Sequence, residues 1–121
     1  RSAGLKHGRY GIFHMHSNEL DDEPMFSVAS LTEPGSFDLV FNDIDKEGYP
    51  ASLPIVAEKV RPGGVLIVDN MFLGGRVLKE GEGGPSVDGV RRFTSAITGD
   101  PDWVSSVIPI RDGLMLAYKI R

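Results

Sequence analysis

The sequence predicts an α/β fold whose central strands run parallel and whose last two strands form an antiparallel hairpin. Strand and helix signals alternate along the chain, which is typical of this class. The two strongest strand segments, residues 37–44 and 65–69, are almost continuously apolar, as are parallel strands covered on both faces. Near the end of the chain, residues 103–110 and 114–120 are β-rich and are joined by a short Asp-Gly turn.

The composition restricts the possible functions. With 121 residues, 40% of them hydrophobic and 25% charged, the chain resembles one ordinary globular domain. The net charge of −4 argues against a nucleic-acid partner, because phosphate binding draws on clustered Lys and Arg. No apolar stretch approaches the ~20 residues that a membrane span needs, and no signal-peptide pattern opens the chain. The absence of cysteine fits a reducing compartment, so we expect a cytoplasmic location.

The segments around the first strong strand follow in order. Residues 11–16 predict a short strand, residues 25–31 a short helix, and residues 33–36 a turn. After the strand at 37–44, apolar residues at helical spacing form one stripe that would face the sheet. Pro50 and Pro54 cannot both fit inside that helix, so its first turn should be irregular or begin late. The stripe consists of Tyr49, Leu53, Val56, Ala57 and Val60.

The segments around the second strong strand complete the pattern. The Arg-Pro-Gly-Gly stretch at residues 61–64 should stop the preceding helix, and the strand at 65–69 comes next. Glycines crowd positions 74–84, which predicts a long flexible loop. Ser86 would be the N-cap of a second helix that ends at Gly99, ahead of the hairpin.

Both strong strands end in acidic residues. Ligands of open parallel sheets bind at the carboxyl ends of the strands, and the ends of neighbouring strands lie about 5 Å apart. The carboxylates of Asp43 and Asp69 and the amide oxygen of Asn70 would then converge. Such an oxygen-only set suits a hard cation such as Mg²⁺ or Ca²⁺. Acids after strands also form turns and cap helices, which is the structural alternative for either cluster taken alone.

Lys46 stands beside the predicted cation site. Without a cation, the converging carboxylates would repel one another, and a divalent ion removes that repulsion. A bound ion can also hold a diol and ease the loss of a proton from a coordinated hydroxyl. A positive neighbour disfavours the protonated form of an amine, so Lys46 is a candidate general base.

These segments resemble the metal-dependent class I O-methyltransferases, the family of caffeoyl-coenzyme-A and catechol O-methyltransferases. The matching stretches are FDLVFNDIDKEGY at 37–49, VRPGGVLIVDNMFLGGRV at 60–77 and IPIRDGLMLAYK at 108–119. The family shows an Asp-x-Asp-Lys-x-x-Tyr pattern and an Asp-Asn pair after an Arg-Pro-Gly-Gly strand, in the same order. The resemblance implies a partial Rossmann-like methyltransferase sheet, with residues 1–121 as the C-terminal part of an S-adenosylmethionine-dependent O-methyltransferase domain.

The resemblance also implies an activity and a role for particular residues. The reaction would be in-line methyl transfer from the sulfonium of S-adenosylmethionine to a metal-bound phenolate of a small catechol-like or phenolic substrate. The family is typically dimeric, which implies a homodimer. The matched residues are the metal ligands Asp43, Asp69 and Asn70, the base Lys46, Asp45 near the cofactor, and Arg76 in a loop that contacts substrate.

The sequence departs from the family pattern on the cofactor side. The glycine-rich loop that wraps the cofactor and the acidic residue that holds its ribose are absent from this chain. The family's Gly-Asp-Ala near the adenine would fall at residues 16–18, His-Ser-Asn, without the Asp. Asn42 replaces an aliphatic residue and needs a hydrogen-bond partner if it is buried. We therefore expect an intact metal half of the site and a missing or altered cofactor half.

Two alternatives stay open. The first is a non-catalytic, truncated methyltransferase-like module that oligomerises, since a sheet with missing strands leaves an edge that pairs readily with another chain. The second is a metal-dependent hydrolase, because His14 and His16 alternate on a predicted strand and would join Asp43 or Asp69 around zinc. No third ligand at fixed spacing follows the two histidines, which favours two residues on a solvent face instead.

Overall fold

Five strands pair into one sheet in the computed structural model, which describes residues 10–14 and 34–121. Across the sheet their order is β1-β2-β3-β5-β4. The first three strands are parallel, and β5 runs antiparallel to both β3 and β4. This arrangement confirms the predicted α/β class with its C-terminal hairpin. The strands are β1 (Tyr10–His14), β2 (Phe37–Asp43), β3 (Val60–Val68), β4 (Trp103–Ile108) and β5 (Leu114–Lys119).

Among the described residues, two α-helices cover one face of this sheet. Helix α1 spans Tyr49–Lys59 and helix α2 spans Pro85–Thr98. Short 3₁₀ turns at Lys46–Gly48 and Arg76–Leu78 precede them. Val40 of β2 and alternate residues of β3 are fully buried in the same cluster as the apolar stripes of both helices, so one core lies between the sheet and the helix pair. The buried strand and helix residues include Val40, Leu66, Val68, Leu53, Val56, Val90, Phe93 and Ile97.

Helix α1 forms despite its two prolines. Pro50 lies in the first turn, where its missing N–H costs nothing, and the irregular start that we predicted is the 3₁₀ turn before it. Pro54 lies inside the helix. At the other end, the ammonium of Lys119 donates to the carbonyls of Ala57 and Val60, the latter at 2.8 Å, which suits the negative end of a helix.

The start of β3 differs from the prediction. Val60 was expected in the helical stripe and the strand was expected from residue 65, but β3 begins at Val60 and includes the Arg-Pro-Gly-Gly stretch. Its register with β2 shifts between Phe37 and Leu39, so this stretch is an irregularity in the strand. A Cβ on Gly64 would lie 2.9 Å from the carbonyl oxygen of Asp38, so only glycine permits the close approach.

The predicted N-cap of α2 is wrong. The helix begins at Pro85, Gly84 is its cap residue, and no side chain caps it. Proline has no N–H to satisfy and its fixed φ suits the first helical position, so the helix starts one residue before Ser86. The glycine-rich loop ahead of it is held to α2 by Arg91, whose guanidinium donates to the carbonyls of Val77, Lys79 and Glu82 at 3.2, 2.9 and 2.9 Å.

The C-terminal hairpin and strand β1 agree with the prediction except in their bounds. The hairpin strands β4 and β5 are slightly shorter than expected, and the turn between them closes with a bond from the Gly113 N–H to the Ile110 carbonyl at 2.9 Å. Strand β1 confirms a strand near residues 11–16, although His16 and the predicted helix at 25–31 lie outside the described residues. Within the described part of the chain, no helix is long and apolar enough to cross a membrane.

Candidate functional site

The register of the parallel strands brings the two acidic strand ends to one edge of the sheet. Asn42 of β2 pairs with Val68 of β3, so the next residues, Asp43 and Asp69, leave the sheet at the same level. Adjacent strands are about 5 Å apart, which places these two residues side by side. The Asp43 side chain is 31% exposed and that of Asp69 is 11% exposed. The convergence of the strand ends that the sequence predicted is therefore present.

A buried tyrosine lies close enough to both carboxylates for their charges to affect its pKa. Tyr49, the first residue of α1, is fully buried, and its hydroxyl donates to the main-chain carbonyl of Asp69 at 2.8 Å. Burial, and then the negative charges of Asp43 and Asp69, raise the pKa of this phenol far above its usual value. Tyr49 thus stays a neutral donor that ties the start of α1 to the end of β3. Sequence reasoning placed it in an apolar stripe and at the end of the family's Asp-x-Asp-Lys-x-x-Tyr pattern, but gave it no role.

Lys46 lies in the 3₁₀ turn that follows β2. Its ammonium is 3.3 Å from Oδ1 of Asp43 and donates to the carbonyl of Ile44 at 3.1 Å. It also lies 5.0 Å from the centre of the Tyr49 ring, within the range of a cation–π contact. In this structure Lys46 therefore acts as the counter-ion of Asp43, and its role as a base stays a prediction.

Helix α2 presses directly on the turn that carries Lys46. A Cβ on Gly89 would lie 2.8 Å from the Cα of Glu47 and would overlap the Lys46 carbonyl oxygen. Only a glycine allows the helix backbone to come this close. The available signal was a glycine in the interior of an amphipathic helix, which usually costs about 1 kcal/mol relative to alanine and so needs a packing reason.

Asn70 follows Asp69 in a left-handed backbone conformation, with φ of 59°. Its main-chain N–H donates to Oδ1 of Asp69 at 2.7 Å, and its Nδ2 donates to Oδ2 of Asp112 at 3.0 Å. No donor in the described part of the chain bonds the Asn70 Oδ1. That oxygen therefore remains an available ligand atom next to a carboxylate. Asparagine is one of the few non-glycine residues that adopt this conformation readily.

Asp112 and Arg111, in the turn between β4 and β5, also lie at the site, and sequence reasoning gave neither a role. Oδ1 of Asp112 accepts from the N–H of Gly74 at 2.8 Å, in addition to its bond with Asn70. Nη1 of Arg111 lies 4.0 Å from Oδ2 of Asp69, although most of the arginine side chain is exposed. The only sequence signal was the Asp-Gly turn, which predicts a hairpin and says nothing of what the turn touches.

Comparison with known proteins shows the family of this chain. The O-methyltransferase family model matches residues 23–120, which include every residue of the site described above. The chain belongs to the O-methyltransferase family. This confirms the resemblance that the motifs at residues 37–49, 60–77 and 108–119 suggested.

Individual relatives agree with the family match. Catechol O-methyltransferase domain-containing protein 1 of Mus musculus is 38% identical over 93 residues, which cover 77% of this chain and 36% of that protein. The probable caffeoyl-CoA O-methyltransferase 2 of Dictyostelium discoideum is 33% identical over 89 residues, covering 73% and 38%. The O-methyltransferase from Bacillus cereus, solved in complex with SAH, has a TM-score of 0.71 at 26% identity, covering 82% and 47%. The chain thus spans little more than a third of these two curated relatives.

Asp45 and Arg76, the other predicted site residues of this O-methyltransferase chain, lie in different places. Asp45 precedes the Lys46 turn, is partly buried, and its carbonyl accepts from the Gly48 N–H at 2.9 Å. Arg76 is exposed in the glycine-rich loop, where it bonds the Glu82 carboxylate at 3.3 Å and the Gly83 carbonyl at 3.1 Å. Among the described contacts, none joins Arg76 to the acidic strand ends.

The donor set of the site fits a hard cation. Two carboxylates and one amide oxygen are oxygen ligands, which Mg²⁺ and Ca²⁺ prefer. Among residues 34–121, no group of three or more His, Cys, Asp or Glu side chains is arranged to hold a metal, so a site here depends on the amide of Asn70. His14 of β1 pairs with Asp43 across the sheet, and it is the member of the predicted histidine pair that the described residues include.

The side-chain amide of Asn42 has a hydrogen-bond partner for its nitrogen but none for its oxygen among the described residues. It is fully buried, and its Nδ2 donates to the hydroxyl of Ser52 at 2.9 Å, which in turn donates to the Tyr49 carbonyl at 2.8 Å. Its Oδ1 is buried without a hydrogen-bond partner among the described residues. This short chain of bonds links β2 to α1 directly beneath the site, which explains how a polar residue is accommodated in an otherwise apolar strand.

Proposed function

We propose that this chain is the C-terminal, cation-binding part of an O-methyltransferase domain that uses S-adenosylmethionine and methylates a hydroxyl of a phenolic or catechol-like small molecule. Family membership supports the reaction class. The observation that carries the proposal is that the strand register sets Asp43 and Asp69 side by side at the carboxyl ends of β2 and β3, and that Oδ1 of the next residue, Asn70, accepts no hydrogen bond from the described residues. The homodimer and the contact of Arg76 with substrate remain predictions.

The proposed cation holders are Asp43, Asp69 and Asn70. A divalent cation bound there, Mg²⁺ or Ca²⁺, would supply Lewis-acid polarisation of the acceptor hydroxyl. Lys46, paired with Asp43 in this structure, would accept the proton of that hydroxyl. Tyr49 would hold the end of β3 in place through its bond to the Asp69 carbonyl, since its phenol stays protonated.

The cofactor side is less complete in this chain. Asp45 is the residue that the resemblance assigns to S-adenosylmethionine, and the Bacillus cereus relative was solved with SAH. A glycine-rich turn after a strand normally lets the backbone approach such a cofactor closely, yet no glycine occurs between residues 15 and 33, after β1. The described residues therefore supply one candidate contact and no cradle, and we derive no step through the cofactor.

Titration calorimetry with S-adenosylmethionine, Mg²⁺ and both together tests the proposal. We expect Mg²⁺ to bind the wild-type chain and Asp69→Asn to lose most of that binding, because the substitution removes a negative charge while keeping an acceptor for the Asn70 N–H. Asp88→Asn, an exposed acid in the first turn of α2, is the matched control and should bind as the wild type does. Equal Mg²⁺ binding by Asp69→Asn and Asp88→Asn would contradict the site.

A zinc hydrolase is the second candidate, and one observation favours it. His14 pairs in register with Asp43 on the neighbouring strand, so a histidine and an aspartate are backbone neighbours at the end of β2. Zinc retained by the purified chain and lost on His14→Ala would support this function and count against methyl transfer. Binding of neither zinc, Mg²⁺ nor S-adenosylmethionine would instead favour the non-catalytic module.

A further inference from the structure

The turn between β4 and β5 is fastened to the loop that follows β3. The Met71 N–H donates to the Gly113 carbonyl at 3.0 Å, and the Phe72 N–H donates to the Asp112 carbonyl at 2.8 Å. A Cβ on Gly113 would lie 2.8 Å from Cγ of Phe72, so the two segments are in direct contact. The position of the loop is therefore determined by a turn roughly 40 residues further along the chain.

One carboxylate holds both ends of this loop. Oδ2 of Asp112 accepts from Nδ2 of Asn70 at 3.0 Å, and Oδ1 of the same group accepts from the Gly74 N–H at 2.8 Å. The loop needs such a clamp, because Leu73 has φ of 50°, a conformation that a residue other than glycine, asparagine or aspartate holds only when its surroundings impose it. Strained residues of this kind concentrate at functional sites.

A side-chain amide has one donor end and one acceptor end, so fixing one end fixes the other. We propose that Asp112 is a positioning residue of the cation site: by binding Nδ2 of Asn70, it leaves Oδ1 as the atom that faces a cation. This inference rests on the proposed function, in which Asn70 is a ligand. It adds a residue that would touch neither cation nor substrate and would act on the cation through Asn70, while its bond to Gly74 holds the loop.

The substitution Asp112→Asn separates two roles of Asp112: orienting the Asn70 amide and supporting the loop through Gly74. The new Oδ1 can still accept from the Gly74 N–H, but the new Nδ2 then faces Nδ2 of Asn70, and two donors cannot bond. While the bond to Gly74 is kept, Asn70 can pair with the new Nδ2 only by turning its amide over, which presents its NH₂ group to the cation. With Mn²⁺ alone as the probe, followed by water-proton relaxation, we expect binding about 10–100-fold weaker, the usual effect of losing an outer partner of a ligand.

The double substitution Asn70→Asp with Asp112→Asn restores the pair in reverse. Asn at position 112 then donates to the carboxylate at position 70 and still accepts from Gly74, and the second carboxylate oxygen at position 70 is left for the cation. We expect the double variant to bind Mn²⁺ at least tenfold more tightly than Asp112→Asn alone. Restored affinity at an unchanged unfolding temperature cannot come from general support of the loop.

Asp100→Asn is the matched control, because its Oδ1 accepts the Asp102 N–H at 2.9 Å in the turn before β4, away from the site. It should leave Mn²⁺ affinity unchanged. Wild-type affinity in Asp112→Asn, with Asp69→Asn still impaired, would overturn this inference and leave the proposed function standing. No Mn²⁺ binding by the wild-type chain would overturn both. Should Asp112→Asn fail to fold, the double variant decides, and its failure to bind Mn²⁺ when folded would also overturn the inference.

Discussion

The two sides of the candidate site are built in different ways. On the β2 side, Asp43 and Lys46 are three residues apart, and the 3₁₀ turn between β2 and α1 brings their charges together at 3.3 Å. On the β3 side, Asn70 depends on Asp112, a residue 42 positions further along the chain. The ion pair of the first side is thus set by local sequence, although helix α2 packs on its turn, whereas the Asn70–Asp112 bond of the second exists only once the hairpin has docked. This difference decides which substitutions should affect which part of the site.

The largest effect on stability should come from Gly89, where helix α2 packs against the Lys46 turn of the β2 side. Gly89→Ala places a Cβ into the backbone of the Lys46 turn, and neither the helix nor the turn can yield cheaply. We expect the free energy of unfolding in urea to fall by about 3 kcal/mol, the upper part of the range for overpacking. Gly83→Ala is the control, since a Cβ there meets nothing within 4 Å, and a similar loss in both variants would contradict the close contact.

Gly113→Ala tests the hairpin side in the same way. Gly113 has φ of 86°, and a Cβ there would also meet the ring of Phe72. The ring is a side chain and can rotate, so we expect a smaller loss of about 2 kcal/mol in urea unfolding. We also expect weaker Mn²⁺ binding, because Asn70 loses its docked partner. Loss of Mn²⁺ binding in Gly83→Ala as well would show that the loss does not come from the docked hairpin.

The division between local and distant contacts also explains what the sequence could predict. Asp43, Lys46, Asp69 and Asn70 follow strands whose apolar runs are clear, and parallel pairing alone makes their ends meet. Asp112 and Gly89 act through the docking of a turn and of a helix. No periodicity in the sequence encodes the packing of a helix or a turn against a distant segment, so these contacts become visible only in the three-dimensional structure.

The same reasoning accounts for the boundaries that were wrong. Ser86 was predicted as a cap from residue preference, but Pro85 is equally suited to begin a helix and stands one position earlier. The start of β3 was missed because a Pro-Gly-Gly stretch normally predicts a break, while here the neighbouring strand tolerates it through a shift in register. In the first case one local preference outweighed another, and in the second a tertiary contact outweighed a local preference.

Tyr49 joins the two sides, so Tyr49→Phe tests their connection. The substitution leaves the Asp69 carbonyl without its donor, and we expect a loss of about 1 kcal/mol of unfolding free energy at pH 8. The folded state raises the pKa of this phenol. The unfolded chain therefore loses its proton first, above the usual value of about 10, and the stability from this group declines as pH rises beyond it.

Urea unfolding at pH 8 and pH 11 measures this pH dependence. Between pH 8 and pH 11 the wild-type chain should lose more unfolding free energy than Tyr49→Phe does. The difference in unfolding free energy between the two proteins should therefore be smaller at pH 11. Tyr118→Phe, at a half-exposed residue of β5, is the control and should keep the wild-type dependence. A wild-type response in Tyr49→Phe would show that the buried phenol is not the group responsible.

The smallest effect on stability should come from Lys46→Met. Its ion pair with the partly exposed Asp43 contributes little to folding, so we expect a change below about 1 kcal/mol. Cation binding should respond in the opposite direction, because the ammonium competes with a divalent ion for Oδ1 of Asp43. We expect Mn²⁺ to bind a few-fold more tightly at low ionic strength, with the gain reduced by salt. Unchanged Mn²⁺ affinity would mean that Asp43 does not contribute to the cation site, and the β2 side would then carry no more than a local ion pair.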